Sequence, residues 1–155
     1  ALGVTACTQP VYNAFVSDDK EKTLFHGHSF TANCLACTAS LASLYLLQQD
    51  TCIQRIAKIV SRQKKFRTKI ERFQKKNIIK NLRHLGTILA FEINTNEEDS
   101  YLHNVAAEFT RYCLRKGVYL RAMGNTIYVM PPYCITKKEL NTVYSTIENF
   151  LETTV

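Results

Sequence analysis

The residues best suited to chemistry lie in the segment HGHSFTAN, residues 26–33. This segment combines a glycine, two hydroxyl side chains and an asparagine directly before a run that is expected to be helical. Free backbone N–H groups and the positive end of a helix dipole attract anions, and Ser29 or Thr31 can add hydroxyl hydrogen bonds. The segment therefore has the composition of a phosphate-binding loop, although an ordinary loop before a capped helix would contain the same residues.

Two further groups of side chains have the types that metal or redox chemistry requires. Cys34 and Cys37 form a CxxC spacing, and His26 and His28 flank Gly27. No second CxxC and no spaced Cys/His pair completes a zinc site. The six cysteines are scattered, and most lie in apolar patterns where a free thiol behaves as a small hydrophobic side chain. We therefore expect reduced thiols and no metal.

A third candidate is the basic segment 54–83, which contains twelve Lys or Arg and one acid, Glu71. Because the whole chain carries +7, the rest of it carries −4. A basic helix face can follow a phosphate backbone, so a nucleic-acid-binding α/β module is an alternative function. The segment lacks interleaved aromatic residues for base stacking, and such a face is more often simply solvated. The sequence therefore favours a solvated face over a nucleic-acid partner.

Helices and strands are needed to position these residues. The chain opens with ALGVTACT, an apolar, β-leaning run that we expect to be a strand cut from something longer. A short helix near residues 10–16 and a polar loop follow. Asn33 is suited to cap a helix in CLACTASLASLYLLQQ, which is apolar on most sides and should be buried.

From Thr51 onward the expected order is helix, strand, helix, strand, strand, helix. The first helix bears an apolar stripe at helical spacing, with its basic residues outward. The strands are GTILAFEIN (86–94) and two short strands in VYLRAMGNTIYVMPP, which a proline pair ends. A helix in SYLHNVAAEFTRYCLRKG ends at Gly117, and Thr136 and Glu139 have capping-box spacing before the last helix. This order predicts an α/β chain ending in a small α+β domain, whose three-stranded sheet is covered by helices on one face.

Composition places the chain among ordinary globular proteins. It has 155 residues, of which 46% are apolar and 21% charged. A chain of this size can bury about 70% of the surface that its unfolded form exposes. No segment approaches the ~20 apolar residues of a membrane span, and no signal-peptide pattern opens the sequence. We expect a soluble, cytoplasmic protein with no membrane partner.

Three phrases together resemble the class III (fold-type I) pyridoxal-phosphate aminotransferases. They are HGHSFTANCLAC, LGTILAFEI and GVYLRAMGNTIYVMPPYCIT, in the order that the family has them. Within the family, MPPYCIT favours the biotin-synthesis branch over the ornithine and 4-aminobutyrate branches. The resemblance covers nearly the whole chain and implies the C-terminal part of such an enzyme. Residues 1–50 would be the tail of the large cofactor-binding domain, including the interdomain helix, and residues 51–155 the small domain.

The resemblance also implies roles for four residues. Ser29 falls where the family has a Ser or Thr that binds the phosphate of pyridoxal 5′-phosphate in the neighbouring subunit, with His28 beside it. Arg121 falls at the position of the family's arginine that binds the substrate carboxylate, and Tyr128 would line the same pocket. The parent enzyme would be a homodimer acting on small-molecule substrates. Without the resemblance, Arg121 would be interpreted as a surface arginine and Tyr128 as a half-buried packing residue.

Two departures from the family pattern bear on activity. The family usually has Asn-Pro at the helix start, whereas this chain has Asn33 and Cys34, which keeps the cap but loses a proline suited to the first helical position. The family's Schiff-base lysine lies upstream of a strand like that of residues 2–6, and none of the lysines present matches it. Lys20 and Lys22 lie in a polar, acidic stretch where they are solvated. We therefore expect the chain alone to be inactive, a stable folding unit at most.

Overall fold

The structure is a computed structural model that describes residues 2–94 and 104–153. It divides into two compact units, residues 1–49 and residues 50–155, which are treated separately below. Within the described residues, no helix combines the length and apolar character needed to cross a membrane. The first unit contains α1 (Gln9–Phe15) and α2 (Cys34–Gln48). The second contains α3 (Asp50–Lys75), β1 (Ile79–Leu85), β2 (Ile88–Ile93), α4 (Asn104–Arg115), β3 (Ala122–Met123), β4 (Thr126–Val129) and α5 (Lys137–Thr153).

The first unit confirms the predicted short helix but not the predicted strand. Helix α1 has Pro10 in its first turn, where the missing N–H of proline costs nothing. Residues 2–8 form neither helix nor strand. An extended run becomes a strand only when a neighbour takes up its backbone hydrogen bonds, and β propensity alone does not supply that neighbour. The expected strand is therefore wrong for this chain.

Helix α2 begins where the sequence predicts, but it is not buried. The Ala36 N–H donates to Asn33 Oδ1 over 2.9 Å, so the asparagine cap forms without a following proline. No residue of α2 is buried, and Leu35 and Leu41 are 83% and 69% exposed. The expectation of a buried helix is wrong here, because two helices of 7 and 15 residues cannot enclose a core by themselves.

The second unit is built around an antiparallel sheet with the strand order β1-β2-β4-β3. The α/β class is confirmed, but the sheet has four strands rather than three. The additional strand is β1, whose sequence IKNLRHL mixes basic and amide side chains with apolar ones. Its register against β2 shifts between Lys80 and Arg83, and Asn81 has a φ of 52°. This irregularity breaks the alternation by which a strand is predicted.

The core lies on one face of the sheet, beneath α3, α4 and α5. The predicted stripe of α3 is buried at Phe66, Ile70 and Phe73, and that of α5 at Leu140 and Ile147. Aromatic rings join the two later helices, since Phe109 of α4 and Phe150 of α5 meet edge to face at 5.0 Å. The strands contribute alternate residues to the same core: Leu89, Phe91, Ile93, Ile127 and Val129. The predicted arrangement of helices on one face is therefore present.

One buried polar side chain, Gln63, interrupts the apolar stripe of α3. Its Nε2 donates to the backbone oxygens of Thr87 at 2.9 Å and Val129 at 3.2 Å, and its Oε1 accepts from the Tyr144 hydroxyl at 3.1 Å. Burial raises the pKa of Tyr144, so its hydroxyl remains a donor. The Tyr144 ring also stacks on Phe66 at 4.2 Å. Gln63 thus joins α3 to the β1–β2 turn at Thr87, to the end of β4 at Val129 and to α5.

Both predicted helix-end signals are present in the second unit. Gly117 has a φ of 73°, and the Val118 and Gly117 N–H groups donate to the carbonyls of Cys113 and Leu114 at 2.9 and 3.0 Å. This pair of bonds is a Schellman motif and ends α4. The predicted start of that helix, residues 100–103, lies outside the described residues.

The capping box before α5 is complete. The Thr136 N–H donates to Glu139 Oε2 at 2.8 Å, and the Glu139 N–H donates to Thr136 Oγ1 at 3.2 Å. The backbone hydrogen bond from Thr136, and then the one from its hydroxyl, lower the pKa of the Glu139 carboxyl below its ordinary value of 4.5. The sequence pattern at residues 136–139 was therefore sufficient to locate this helix start.

Replacing Gln63 should destabilise the second unit more than replacing an exposed glutamine does. Gln63→Leu removes the hydrogen bonds to the Thr87 and Val129 carbonyls and to the buried Tyr144 hydroxyl, and we expect it to lower the free energy of unfolding by about 3 kcal/mol. Tyr144→Phe leaves one acceptor unpaired and should cost about 1 kcal/mol. The measurement is urea denaturation followed by circular dichroism, with Gln54→Leu on the exposed side of α3 as the control. Equal effects of Gln63→Leu and Gln54→Leu would contradict this assignment.

The capping box should make stability depend on pH through Glu139. Because its folded pKa is lowered, the carboxylate contributes fully above its unfolded pKa, and the contribution is lost as pH falls through the folded pKa. Glu139→Gln should therefore lower stability near neutral pH and match the unsubstituted chain at about pH 3. Denaturation across this range measures the difference, with Glu108→Gln as an exposed helical control. A difference that persists unchanged in acid would rule out this role.

Candidate functional site

The loop of residues 28–33 is held by its own hydrogen bonds. The Thr31 N–H donates to the His28 carbonyl at 2.9 Å, and the His28 N–H donates to Thr31 Oγ1 at 3.2 Å. The Phe30 N–H donates to His28 Nδ1 at 3.2 Å, so a neutral His28 ring carries its proton on Nε2. Ala32 follows with a φ of 54°, which turns the chain into the Asn33 cap. The result is a tight turn that leads directly into the N-terminus of α2.

Within this loop, the structure distinguishes the two hydroxyls that the sequence left equivalent. Thr31 Oγ1 already accepts the His28 N–H. Ser29 is exposed, and its hydroxyl makes no hydrogen bond with any described residue. His28 lies beside it, with Nδ1 occupied and Nε2–H free to donate. Ser29 and His28 are therefore the side chains of the loop that are available to an anion near the helix N-terminus.

The second group of predicted residues lies on the face of the sheet that the helices leave uncovered. Ala122 pairs with Ile127, so the next residue outward, Arg121, falls opposite Tyr128 just beyond the end of β3. Ile127 and Val129 point into the core and alternate with Tyr128, which is half-buried. Residues opposite each other in antiparallel strands share a face. Arg121 and Tyr128 therefore lie on the same face of the sheet, and the roles that the family resemblance implies for them stay a prediction.

A row of residues continues across this uncovered face from Tyr128. Tyr128 pairs with Ala90, and Ala90 pairs with Arg83 in β1. Arg83 Nη1 is 3.0 Å from Glu92 Oε1, and this carboxylate also accepts from the Asn81 side chain at 2.8 Å. Ala90, between Tyr128 and Arg83, is buried. Sequence reasoning missed Arg83 and Glu92, because their pairing depends on the strand that it did not predict.

The two arginines of this face differ in whether a carboxylate compensates their positive charge. Glu92 compensates Arg83, whereas Arg121 is exposed and has no ion-pair partner among the described residues. An arginine with its planar donors unoccupied beside an aromatic side chain is suited to a carboxylate, which it can bind with two parallel hydrogen bonds. Arg121 is therefore the side chain of this face whose chemistry best suits a carboxylate, and Tyr128 lies on the same face.

The cysteines and histidines do not converge on a metal site in the part of the chain that the structure describes. All six thiols are free, and those of Cys34 and Cys134 are exposed. Cys113 is buried in the core, and this burial raises the pKa of its thiol to about 11. Lys20 and Lys22 lie on an exposed 3₁₀ turn, as expected for solvated side chains.

Comparison with known proteins connects these features to a family. The sequence profile described as aminotransferase class-III matches residues 1–151. The chain is 30% identical over 97% of its length to adenosylmethionine-8-amino-7-oxononanoate aminotransferase of Synechococcus elongatus, and 32% identical over 98% to that of Geobacter sulfurreducens. It covers 34% of each of these relatives, and so spans about a third of their length.

Solved structures show the same fold. The chain aligns over 92% of its length, with a TM-score of 0.70 and 28% identity, to 34% of the adenosylmethionine-8-amino-7-oxononanoate aminotransferase of Methanocaldococcus jannaschii. A Bacillus anthracis aminotransferase aligns over 94% of this chain and 34% of its own, with a TM-score of 0.75 and 20% identity. The second likeness is evidence for the fold alone.

Burial should make Cys113 the least reactive thiol. With a pKa of about 11, only about one thiol in a thousand is ionised at pH 8, and the group is also inaccessible. We expect iodoacetamide to label the exposed Cys7, Cys34 and Cys134 first, and Cys113 only after denaturant is added. Mass spectrometry of peptides from timed samples measures the order, and Cys113→Ala identifies the slow site. Labelling of Cys113 as fast as Cys134 in the native chain would be incompatible with this core.

Proposed function

The chain belongs to the class-III aminotransferase family, and from that premise we propose that it forms the C-terminal part of the pyridoxal-phosphate aminotransferase of biotin synthesis. The parent enzyme would transfer an amino group from S-adenosylmethionine to 8-amino-7-oxononanoate and so form 7,8-diaminononanoate. The observation that carries this proposal is the shared name of relatives that are 30% and 32% identical over nearly the whole chain. Free thiols are compatible with the reducing cytoplasm as the place of the reaction.

Ser29 and His28 would hold the cofactor phosphate. The free Ser29 hydroxyl, the available His28 Nε2–H and the positive end of α2 all suit a doubly charged oxyanion. Bound pyridoxal phosphate would supply the electron sink for amino transfer. In the family this loop serves the neighbouring subunit, so we propose a homodimer in which each protomer completes the other's phosphate site. Residues of this loop would bind and orient the cofactor rather than exchange protons with the substrate.

Arg121 and Tyr128 would bind the substrate. The acceptor 8-amino-7-oxononanoate carries a carboxylate, and Arg121, on the same sheet face as Tyr128, has no ion pair with any residue that the structure describes. Two parallel hydrogen bonds from Arg121 would fix the distance between this carboxylate and the reacting carbon. The Tyr128 ring would shield that ion pair from water and strengthen it. The Arg83–Glu92 pair at the far end of the row would keep a second cation from competing for the carboxylate.

The first unit supports the view that more protein surrounds it in the active enzyme. Apolar side chains lie exposed along the loop and both helices, among them Phe25 at 84% and Leu35 at 83%. Patches of this extent on a protein surface usually mark an interaction surface. We propose that residues 1–50 pack within the large cofactor domain and against the second protomer, and that residues 51–155 form the small domain. The lysine that forms the Schiff base would come from the remainder of the parent enzyme, so this chain alone would not catalyse the transfer.

Replacing Arg121 in the full-length natural polypeptide should weaken binding of the acceptor. Arg121→Lys keeps the charge but loses the paired hydrogen bonds, and we expect KM for 8-amino-7-oxononanoate to rise by about 10- to 100-fold, with little change for S-adenosylmethionine. Formation of 7,8-diaminononanoate, measured by mass spectrometry, reports both the activity and this effect. Arg115→Lys on the exposed side of α4 is the matched control. Absence of the diamine product from the unsubstituted enzyme would refute the proposed reaction itself.

Replacing Ser29 should weaken binding of the cofactor, independently of turnover. Ser29→Ala removes the free hydroxyl, and we expect the dissociation constant for pyridoxal phosphate to rise by roughly 10-fold. Thr31→Val, which removes a hydroxyl already used within the loop, is the comparison variant. Titration of the full-length apoenzyme by pyridoxal absorbance measures both. If Thr31→Val weakened cofactor binding while Ser29→Ala did not, the assignment to Ser29 would be wrong.

A further inference from the structure

We propose that the groove between α3 and α5 binds the phosphate backbone of a single nucleic-acid strand. The groove lies within the second unit and is separate from the uncovered sheet face. Two cavities, of about 350 and 110 Å³, lie along it and share Arg62 in their linings. The sequence alone favoured a solvated basic face, but it could not show that this face forms one wall of a groove.

The wall contributed by α3 carries cations at regular intervals. Arg55, Lys58, Arg62 and Lys65 line the two cavities, separated by three, four and three residues. This spacing places all four on one side of the helix, directly beside the buried stripe, over about 15 Å. Successive charges therefore lie about 5 Å apart in a line, which suits a ligand with closely and regularly spaced negative charges.

Acids compensate only one half of this groove. Lys69 pairs with Glu148 at 2.6 Å, and Arg72 pairs with Glu148 and Glu152 at 2.9 and 2.6 Å. The four cations of the groove, Arg55, Lys58, Arg62 and Lys65, have no ion pair with any residue that the structure describes. A row of cations that remains uncompensated inside a groove attracts a polyanion more strongly than one on a flat surface. The binding segment would therefore be the half of the groove that precedes Lys69.

The opposite wall, from α5, adds further groups that suit phosphate oxygens. Lys137 adds a fifth cation and Asn141 adds a neutral amide donor, whereas the Ser145 hydroxyl already donates to the Thr142 carbonyl at 3.0 Å. Phosphate oxygens in nucleic-acid complexes commonly take hydrogen bonds from amide groups together with cations. The aromatic rings at the floor, Phe66 and Tyr144, are buried and stacked on each other, so they offer no face to a base. The ligand would be held by its backbone, without recognition of sequence.

The test is fluorescence anisotropy of the full chain with a labelled oligo(dT) of about 15 nucleotides, over a series of salt concentrations. Five cations in contact predict a slope of log K against log salt of about −3.5. The triple variant Lys58→Gln, Arg62→Gln, Lys65→Gln should bind at least about tenfold more weakly at low salt, with a slope of about −1.4. The matched control is Lys64→Gln, Lys75→Gln, Lys76→Gln, which loses the same charge outside the groove and should bind within about twofold of the unsubstituted chain.

Several results would overturn the proposal. They are absence of binding at about 50 mM salt, equal weakening by the groove and control triples, and displacement of the oligonucleotide by polyglutamate as readily as by tripolyphosphate. Circular dichroism and urea denaturation establish that each variant is folded. Lys137→Gln, on the other wall, should by itself reduce the salt slope by about 0.7, and an unchanged slope would remove α5 from the site.

Discussion

The second unit depends on a single requirement, that Gln63 remain both buried and fully hydrogen-bonded. It occupies a position of the α3 stripe that would otherwise be apolar, and its amide contacts the carbonyls of Thr87 and Val129 and the hydroxyl of Tyr144. An amide in such a place costs free energy unless every partner is aligned. One arrangement of α3, the β1–β2 turn, β4 and α5 gives the amide all three partners. The surrounding apolar contacts stabilise that arrangement, while the amide selects it from other packings of similar area.

The sheet face that this packing leaves uncovered is where the candidate substrate residues meet. With α3, α4 and α5 all on one side, the alternation of β4 sends Ile127 and Val129 into the core and Tyr128 to the other side. The register of β3 against β4 places Arg121 on that same side. The same geometry that buries the apolar residues therefore exposes the polar ones together. The packing of the core therefore also determines which residues make up the candidate site.

The two units differ in whether they contain a hydrophobic core. The second has a continuous core that joins strands to three helices. The first has a well-formed loop and a capped helix, yet none of the described residues 2–49 is buried. Local hydrogen bonds, such as those of His28, Thr31 and Asn33, determine its turns without help from distant residues. The turn at residues 28–33 can therefore be predicted from short-range contacts, whereas an apolar helix is buried only where another element covers it.

The sequence by itself determined the features that depend on neighbours within a few residues. The Asn33 cap, the Thr136–Glu139 box, the end of α4 at Gly117 and the apolar stripes were all predicted, because short-range hydrogen bonds and helical periodicity are local properties. The family phrases likewise identified the class of enzyme. Tertiary structure alone decided the fourth strand, the exposure of α2 and the groove between α3 and α5. Each of these depends on which segments meet across the fold, and no local pattern records that.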